Sequence, residues 1–444
     1  MPTPRTLHAR GLVDVSASGW TRPSEGSQGS EAPPFSTLAG DHTADVAVIG
    51  AGLAGTSLAL HLAEAGATVA VVEAREPGWG ASGRNAGHVV SHREYAAAAL
   101  AALPERGERF LALLRDAGDL VYGLARRHAI ECDGVQAGYF MVSEKAREIA
   151  GAERKVERWR KLGFRLRLLG RDETIRALGT ERFPAAAVDE AGGRINPWRF
   201  TRGLARAAQR AGASVFARSP VTAVERDGAC WRLRTGAGSL RAERVVVCTN
   251  AYTTDVVPGL ARTFYPLAAY GLALAPLPEA LRGEILPCGG AMMQLPTGFH
   301  PMLVDGHGRI VTSLLPGPLR PESAAAPLRE ARRWLTRTFP RLRGVPLALE
   351  SYWTGATAWS PDTLPRIFEA APGLLSLGCF SGEGNAIAPA LGRHLAEALA
   401  KDDLRGLALP VSPPRALLFR SRLEVGLRWL GVPLLRLADR AGLY

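Results

Sequence analysis

The sequence predicts an α/β fold, α+β overall, in which a parallel-sheet domain is interleaved with a second domain built on a mainly antiparallel sheet. Three observations lead there. Between residues 45 and 74, "DVAVIG", "TSLALHLAEAG" and "ATVAVVEA" read as a buried strand, an amphipathic helix closed by glycine, and a second buried strand. A similar alternation returns in "NPWRFTRGLARAAQRAGASVFARSPVTAVERDG", with "CWRLRT" and "GSLRAERVVVCTN" as further strands. From about 260 to 345, proline-punctuated strands such as "FYPLAAYGLALAP" and "GRIVTSL" are of the antiparallel kind. The chain thus leaves its first domain twice and returns twice.

A chain of 444 residues, 47% hydrophobic and 22% charged, can bury a large core, which excludes disorder for most of its length. Its formal net charge of +12 favours acidic ligands or anionic surfaces without naming either. Arginine carries nearly all of it, lysine occurring only at Lys145, Lys155, Lys161 and Lys401. The arginines form no aromatic-interleaved basic stripe, so nucleic acid is not expected as a partner. Five cysteines (Cys132, Cys230, Cys248, Cys288, Cys379), odd in number and without CxxC, point to reduced thiols in a cytoplasmic protein rather than a zinc site or disulfide framework. The N-terminus has no apolar h-region and no long apolar run follows, so neither a secretory leader nor a spanning helix is expected.

Residues 1–43, rich in Ser, Gly and Pro, read as a flexible N-terminal arm or a strap over the surface. The folded body begins near Asp45. In "VIGAGLAG", Gly50 permits a tight turn, Gly52 admits close approach of a pyrophosphate, and Gly55 lets helix and strand pack closely. The phosphate would sit on the helix N-terminus, where N–H groups and the macrodipole favour negative charge. Glu73, about twenty residues on at the end of the second strand, suits ribose hydroxyls. A dinucleotide ligand is the reading; a glycine turn without one is the alternative. "EPGWGASGRNAGHVVSHR" then crowds small residues around Arg84 and Asn85. Residues 94–184 carry helical stretches around a short strand, "GYFMVS". The 401–444 tail is basic and amphipathic, suited to peripheral membrane contact or to docking on its own protein with snorkelling arginines.

"VIGAGLAG", "EAREPGWGASGRNAGH", "VVVCTNAYT" and "LGCFSGEGNAIAPALGRHLAEAL" together resemble the glycine/D-amino-acid oxidase-like (DAO) family of FAD-dependent oxidoreductases, over roughly residues 44–400. The "GASGRNAG" loop is most similar to the γ-glutamylputrescine oxidase branch. The resemblance implies a Rossmann-like FAD-binding domain over 44–93, 185–260 and 345–400, and a substrate domain over 94–184 and 261–344. It also implies FAD contacts. Gly50, Gly52, Gly55, Glu73 and Arg75 would serve the nucleotide. Gly80, Ala81, Ser82, Gly83, Arg84 and Asn85 would run along the pyrophosphate and under the isoalloxazine. Val221 would supply strand backbone against adenine, and Thr249, Asn250 and Ala251 would close over the diphosphate. Gly382, Gly384, Asn385 and Ala386 would present a helix N-terminus to the ring's N1–C2=O edge, where hydride transfer leaves negative charge.

The implied reaction is two-electron oxidation of an amine or amino-acid C–N bond, by hydride transfer to flavin N5 and imine hydrolysis, with O₂ or another electron acceptor reoxidising the flavin. Two other outcomes stay open: an FAD dehydrogenase feeding a membrane or protein acceptor, and a flavin-binding subunit without turnover. Candidates at the reacting face are His88, Glu383 and Trp353, with His92 behind them and Tyr252, Tyr265, Tyr270 and Phe380 as aromatic wall or core. Glu383 admits two readings, contact with a cationic group or a solvent-facing helix terminus. Asp362 and Pro365 shape a turn. Where sarcosine-oxidase-like relatives have a flavin-linking cysteine this chain has Gly355, so the FAD is expected to be non-covalent.

Overall fold

Valine and alanine, buried on both sides, make the centre of the first sheet: β1 (Gly40–Ile49) and β2 (Val69–Val72) run parallel, paired from Val46↔Val69 to Ile49↔Val72. The structure, a computed structural model, describes residues 19–21, 34–90, 103, 105–145, 148–294, 300–314, 323–417 and 434. Between the two strands, α1 (Leu53–Glu64) covers one face of the sheet. The short antiparallel ribbon of β3 (His88–Val89) and β7 (Gly193–Arg194) stands apart.

The second sheet is layered against the helices of the first. Its order is β16 (Leu349–Trp359), β12 (Tyr265–Pro276), β15 (Arg309–Leu314), β14 (His300–Val304), β13 (Ala291–Gln294), β4 (Tyr139–Val142), β6 (Ala186–Asp189), β5 (Leu166–Leu169). Every pair is antiparallel except β13 with β4. Strand alternation divides its side chains. Tyr139, Met141, Ala187, Ala291, Leu303, Val311 and Trp353 join the core shared with α1, while Phe140, Val188, Met292, Met302 and Ile310 join a second core.

The parallel sheet grows outward from β1 and β2 as β8 (Ser214–Phe216), β2, β1, β11 (Gly238–Val247), β18 (Leu374–Gly378). Antiparallel β17 (Arg366–Ala371) and then β19 (Val411–Ser412) edge it, and the ribbon of β9 (Ala223–Asp227) and β10 (Cys230–Arg234) branches from β11. The helices follow in chain order: α2 (Gly107–Arg127), α3 (Ile149–Lys161) and α4 (Arg171–Leu178), then α5 (Pro197–Arg210), α6 (Ala325–Thr338) and α7 (Gly384–Ala400). α1 lies between α5 and α7, and α2 packs on α7. α6 caps the second core with Trp334 and Leu335. Gly392 brings α7 against α1: a Cβ there would stand 2.6 Å from the Ala54 carbonyl, and the Ser57 hydroxyl donates to the Pro389 carbonyl at 2.7 Å.

Sheet membership departs from the sequence divisions in two places. β6, in the segment assigned by sequence to the FAD-binding domain from 185, pairs with β4 in the antiparallel sheet instead. β16, assigned to that domain from 345, pairs along its length with β12 in the antiparallel sheet. Their partners are distant in sequence, so local pattern does not name them. Three side chains anchor the described part of the N-terminal arm, Trp20 and Phe35 at 1% exposure and Leu38 fully buried, between exposed residues such as Thr37 and Ala39, and β1 starts at Gly40. Residues 401–417 lie against the protein, with Arg106 donating to the Leu407 carbonyl at 2.6 Å. The expected amphipathic helix of the tail lies outside the described residues, as does His92. Among the described residues no helix is long and apolar enough to cross a membrane.

Candidate functional site

Parallel strands place ligands beyond their carboxyl ends, where successive loops diverge. Gly50 follows β1, Glu73 follows β2, Thr249 and Asn250 follow β11, and the turn into α7 follows β18. Four of the sequence-derived segments therefore meet at one edge because the sheet is parallel there.

The glycine turn is as tight as its spacing implies. Gly50 has φ +103°, and Gly55 approaches so closely that a Cβ would lie 2.1 Å from the Gly50 carbonyl oxygen. Leu53 N–H, at the start of α1, donates to the Ser82 hydroxyl at 3.0 Å, so the second loop lies over the helix N-terminus. Glu73 accepts from the N–H groups of Ala51 and Arg75, both at 2.8 Å. Burial pushes its carboxyl above the ordinary value, against these N–H groups, which lower it. Arg75 is exposed, its guanidinium 5.5 Å from the Trp79 ring. Val221 is in the loop before β9, half-buried against the sheet, and not within the strand.

The loop at 80–88 is bare backbone at its turn and cross-linked behind. Gly80 faces Tyr252, whose ring a Cβ would meet at 3.1 Å. Arg84, 4% exposed, donates to the Trp79 carbonyl (2.8 Å) and the Thr354 carbonyl (3.1 Å) and lies over the Trp79 ring. It ties the loop to β16. Asn85 and Asn385 exchange amide hydrogen bonds at 2.9 and 2.8 Å, and Asn385 also donates to the His88 carbonyl at 2.8 Å. The loop is thereby locked to the first turn of α7, with Ala386 fully buried beside it. The Asn250 side chain accepts from Cys379 N–H at 2.9 Å and so joins the ends of β11 and β18.

Of the reacting-face candidates, His88 and Glu383 come together around Tyr139, which sequence reasoning passed over inside "GYFMVS". The His88 and Tyr139 rings meet edge-on at 5.5 Å. Burial first, and then the Glu383 charge, raise the Tyr139 phenol's pKa. Glu383 is half-buried with Oε2 shut from solvent, which sets aside the solvent-facing reading. Trp353 is a correction: it is fully buried, and its N–H donates to the Arg84 carbonyl at 2.8 Å, so it supports the loop from behind. Tyr270 stacks on Tyr352 on the outer face of the antiparallel sheet, away from the site. Asp362 is a turn residue, held bidentately by Arg366 at 2.6 Å.

His88 Nε2 is shut from solvent without a hydrogen-bond partner, and burial lowers the ring's pKa from 6.5 to about 3. The unfolded chain then binds the extra proton between those values, so stability present above pH 6.5 is lost as pH falls toward 3. His88→Gln is expected to flatten the fall in unfolding temperature over that window. An unchanged pH dependence would refute the buried neutral ring.

The tight turn at Gly50 and Gly55, at the N-terminus of α1, suits an anionic cofactor. The family described as FAD dependent oxidoreductase (DAO) matches residues 45–398, and the chain belongs to it. It is an FAD-dependent oxidoreductase. It is 29% identical over 420 residues to gamma-glutamylputrescine oxidoreductase of Escherichia coli (strain K12), covering 92% of this chain and 96% of that protein. Among solved structures it is similar to L-amino acid deaminase from Proteus vulgaris (TM-score 0.70, 21% identity, 88% of this chain and 97% of that one). It is also similar to L-proline dehydrogenase from P. horikoshii (TM-score 0.68, 21% identity, 84% and 96%).

Proposed function

We propose that this chain oxidises the C–N bond of a small amine or amino acid, with FAD held non-covalently across the parallel-strand ends. The carrying observation is the Asn85–Asn385 lock, which joins the 80–88 loop to the first turn of α7 directly beneath His88, Tyr139 and Glu383. FAD, when bound, supplies a two-electron acceptor for the hydride lost from the substrate carbon.

The protein's own contribution is placement and charge. Gly50, Gly52, Gly55, Ser82, Thr249 and Asn250 would hold the diphosphate, with Glu73 and Arg75 at the ribose end and Val221 near adenine. Gly80, Ala81, Arg84 and Asn85 would lie along the ring. The N-terminus of α7, at Gly382, Gly384, Asn385 and Ala386, would meet the edge that becomes negative. His88 stays neutral and offers Nε2 as an acceptor for an amine N–H. Glu383 favours a cationic group on the far part of the substrate. Glu383→Gln is expected to raise KM for a diamine about tenfold or more with kcat little changed, a charged hydrogen bond being worth ~1.5–3 kcal/mol. An equal KM for diamine and neutral amine in both proteins would sink this role.

The test of the reaction is anaerobic bleaching of the purified protein's flavin by polyamines, γ-glutamyl amines, N-methyl amino acids and D-amino acids, followed by air or a quinone to identify the acceptor. Rapid bleaching by one class supports the reading, and full flavin content without bleaching by any class overturns it. Gly355 carries no side chain that could bond to flavin and faces the Arg84 stem. Acid denaturation is expected to release all FAD into the supernatant; yellow colour remaining with the precipitate would contradict non-covalent binding.

A further inference from the structure

We propose that Trp20, from the N-terminal segment, is a positioning residue for the 80–88 loop. The inference rests on the reading of that loop as the one lying along FAD. Trp20 is 1% exposed although it stands in a stretch of sequence with no core-like pattern. Its indole N–H donates to the Asn85 carbonyl at 2.9 Å. Its six-membered ring closes on Gly87, where a Cβ would stand 3.0 Å from Trp20 Cη2 and where φ is +77°. Only glycine combines that backbone with that contact. Asn85 is thus gripped twice, its side chain by Asn385 and its main chain by Trp20.

The indole can act this way because the turn carrying it is anchored on both other sides. The Trp20 carbonyl accepts from the Asn196 side chain at 3.1 Å, and Asn196 also caps α5 through Arg199 N–H. The Gly19 carbonyl accepts from Arg309 at 2.8 Å. Gly19 itself lies against the antiparallel sheet, so that a Cβ there would be 2.8 Å from Ala273 Cβ. One three-residue turn, Gly19–Thr21, therefore bridges the nucleotide-side loop, the start of α5 and the antiparallel sheet. Ordering such a segment costs conformational entropy, which burial of a large aromatic ring offsets. The surplus is available to fix the loop before any cofactor arrives, which favours binding by pre-organisation.

The experiment is hydrogen exchange of peptides spanning 76–90, with and without FAD, together with FAD dissociation constants, in wild type, Trp20→Ala and Trp20→Phe full-length protein. In wild type FAD is expected to slow exchange in 76–90; no such slowing overturns the loop reading itself. In Trp20→Ala, exchange in 76–90 and the FAD dissociation constant should each rise about tenfold, while α1 keeps its protection. Trp20→Phe, keeping the ring on Gly87 and losing the N–H, should recover most of this, to within about threefold of wild type. Wild-type exchange and affinity in both variants, or a uniform rise across α1 and the loop alike, overturns the positioning role. If Trp20→Ala does not fold, Trp20→Phe decides: a rise of about threefold in both readouts supports the role, and unchanged values refute it.

Discussion

Gly55→Val is expected to give protein that purifies without flavin. A Cβ at position 55 would lie 2.1 Å from the Gly50 carbonyl oxygen and 3.2 Å from Cys248 Cβ and Val48 Cγ1. The first neighbour is backbone of the glycine turn, so no side-chain rotation relieves the clash. Relief requires α1 to move off the sheet, and this shifts the N-terminus that faces the diphosphate. It also strains α7, because Gly392 holds that helix against the carbonyl of Ala54, the residue next to Gly55. Both helix termini at the site are thereby displaced by one substitution. The measurement is the flavin-to-protein absorbance ratio after purification. Gly123→Ala is the control: the site is helical with open space around it, and alanine there should stabilise α2 by ~0.5–1 kcal/mol and leave flavin content at the wild-type level. Wild-type flavin in Gly55→Val would refute the account of the turn.

The glycine turn could be read from sequence because its physics is local: Gly50, Gly52 and Gly55 sit within one strand–turn–helix, and their spacing alone demands the geometry. Glu73 was legible for the same reason, one strand further on. Asn85 and Asn385 were each singled out in the sequence, but their exchange of hydrogen bonds joins residues 300 apart in the chain and has no local signature. β6 and β16 lie in segments assigned by sequence to the FAD-binding domain but pair in the antiparallel sheet, because a segment's own residues do not name its partner. Trp353 admitted both a core and a reacting-face reading, since an aromatic residue in an inner strand faces either core or ligand, and the register opposite Gly271 places it in the core. Trp20 lay in a segment whose composition signals a loose arm, and composition cannot register a single buried anchor.

Arg309 was likewise invisible among many scattered arginines, and its removal is expected to be the most damaging change to stability away from the glycine turn. Arg309 is 1% exposed, with Asp305 at 2.9 and 2.7 Å and Glu350 at 2.6 Å. Both carboxylates are nearly or wholly out of solvent, at 3% and 9% side-chain exposure. Asp305 has a second duty, accepting from the N–H groups of His307 and Arg309 to shape the turn between β14 and β15, so it cannot move to water when its cation is lost. Arg309→Leu therefore removes the cation that Asp305 and Glu350 share, and leaves the Gly19 carbonyl without its donor. Breaking a buried pair from one side costs on the order of 3–5 kcal/mol, read here as a fall in the urea midpoint at unchanged slope. Arg309→Lys retains the charge but has one nitrogen in place of a planar fork that serves Asp305, Glu350 and Gly19 together, so it should recover only part of the loss. A loss below about 1 kcal/mol for Arg309→Leu, the range of an exposed ion pair, would show that this arginine does not join the N-terminal turn to the antiparallel sheet.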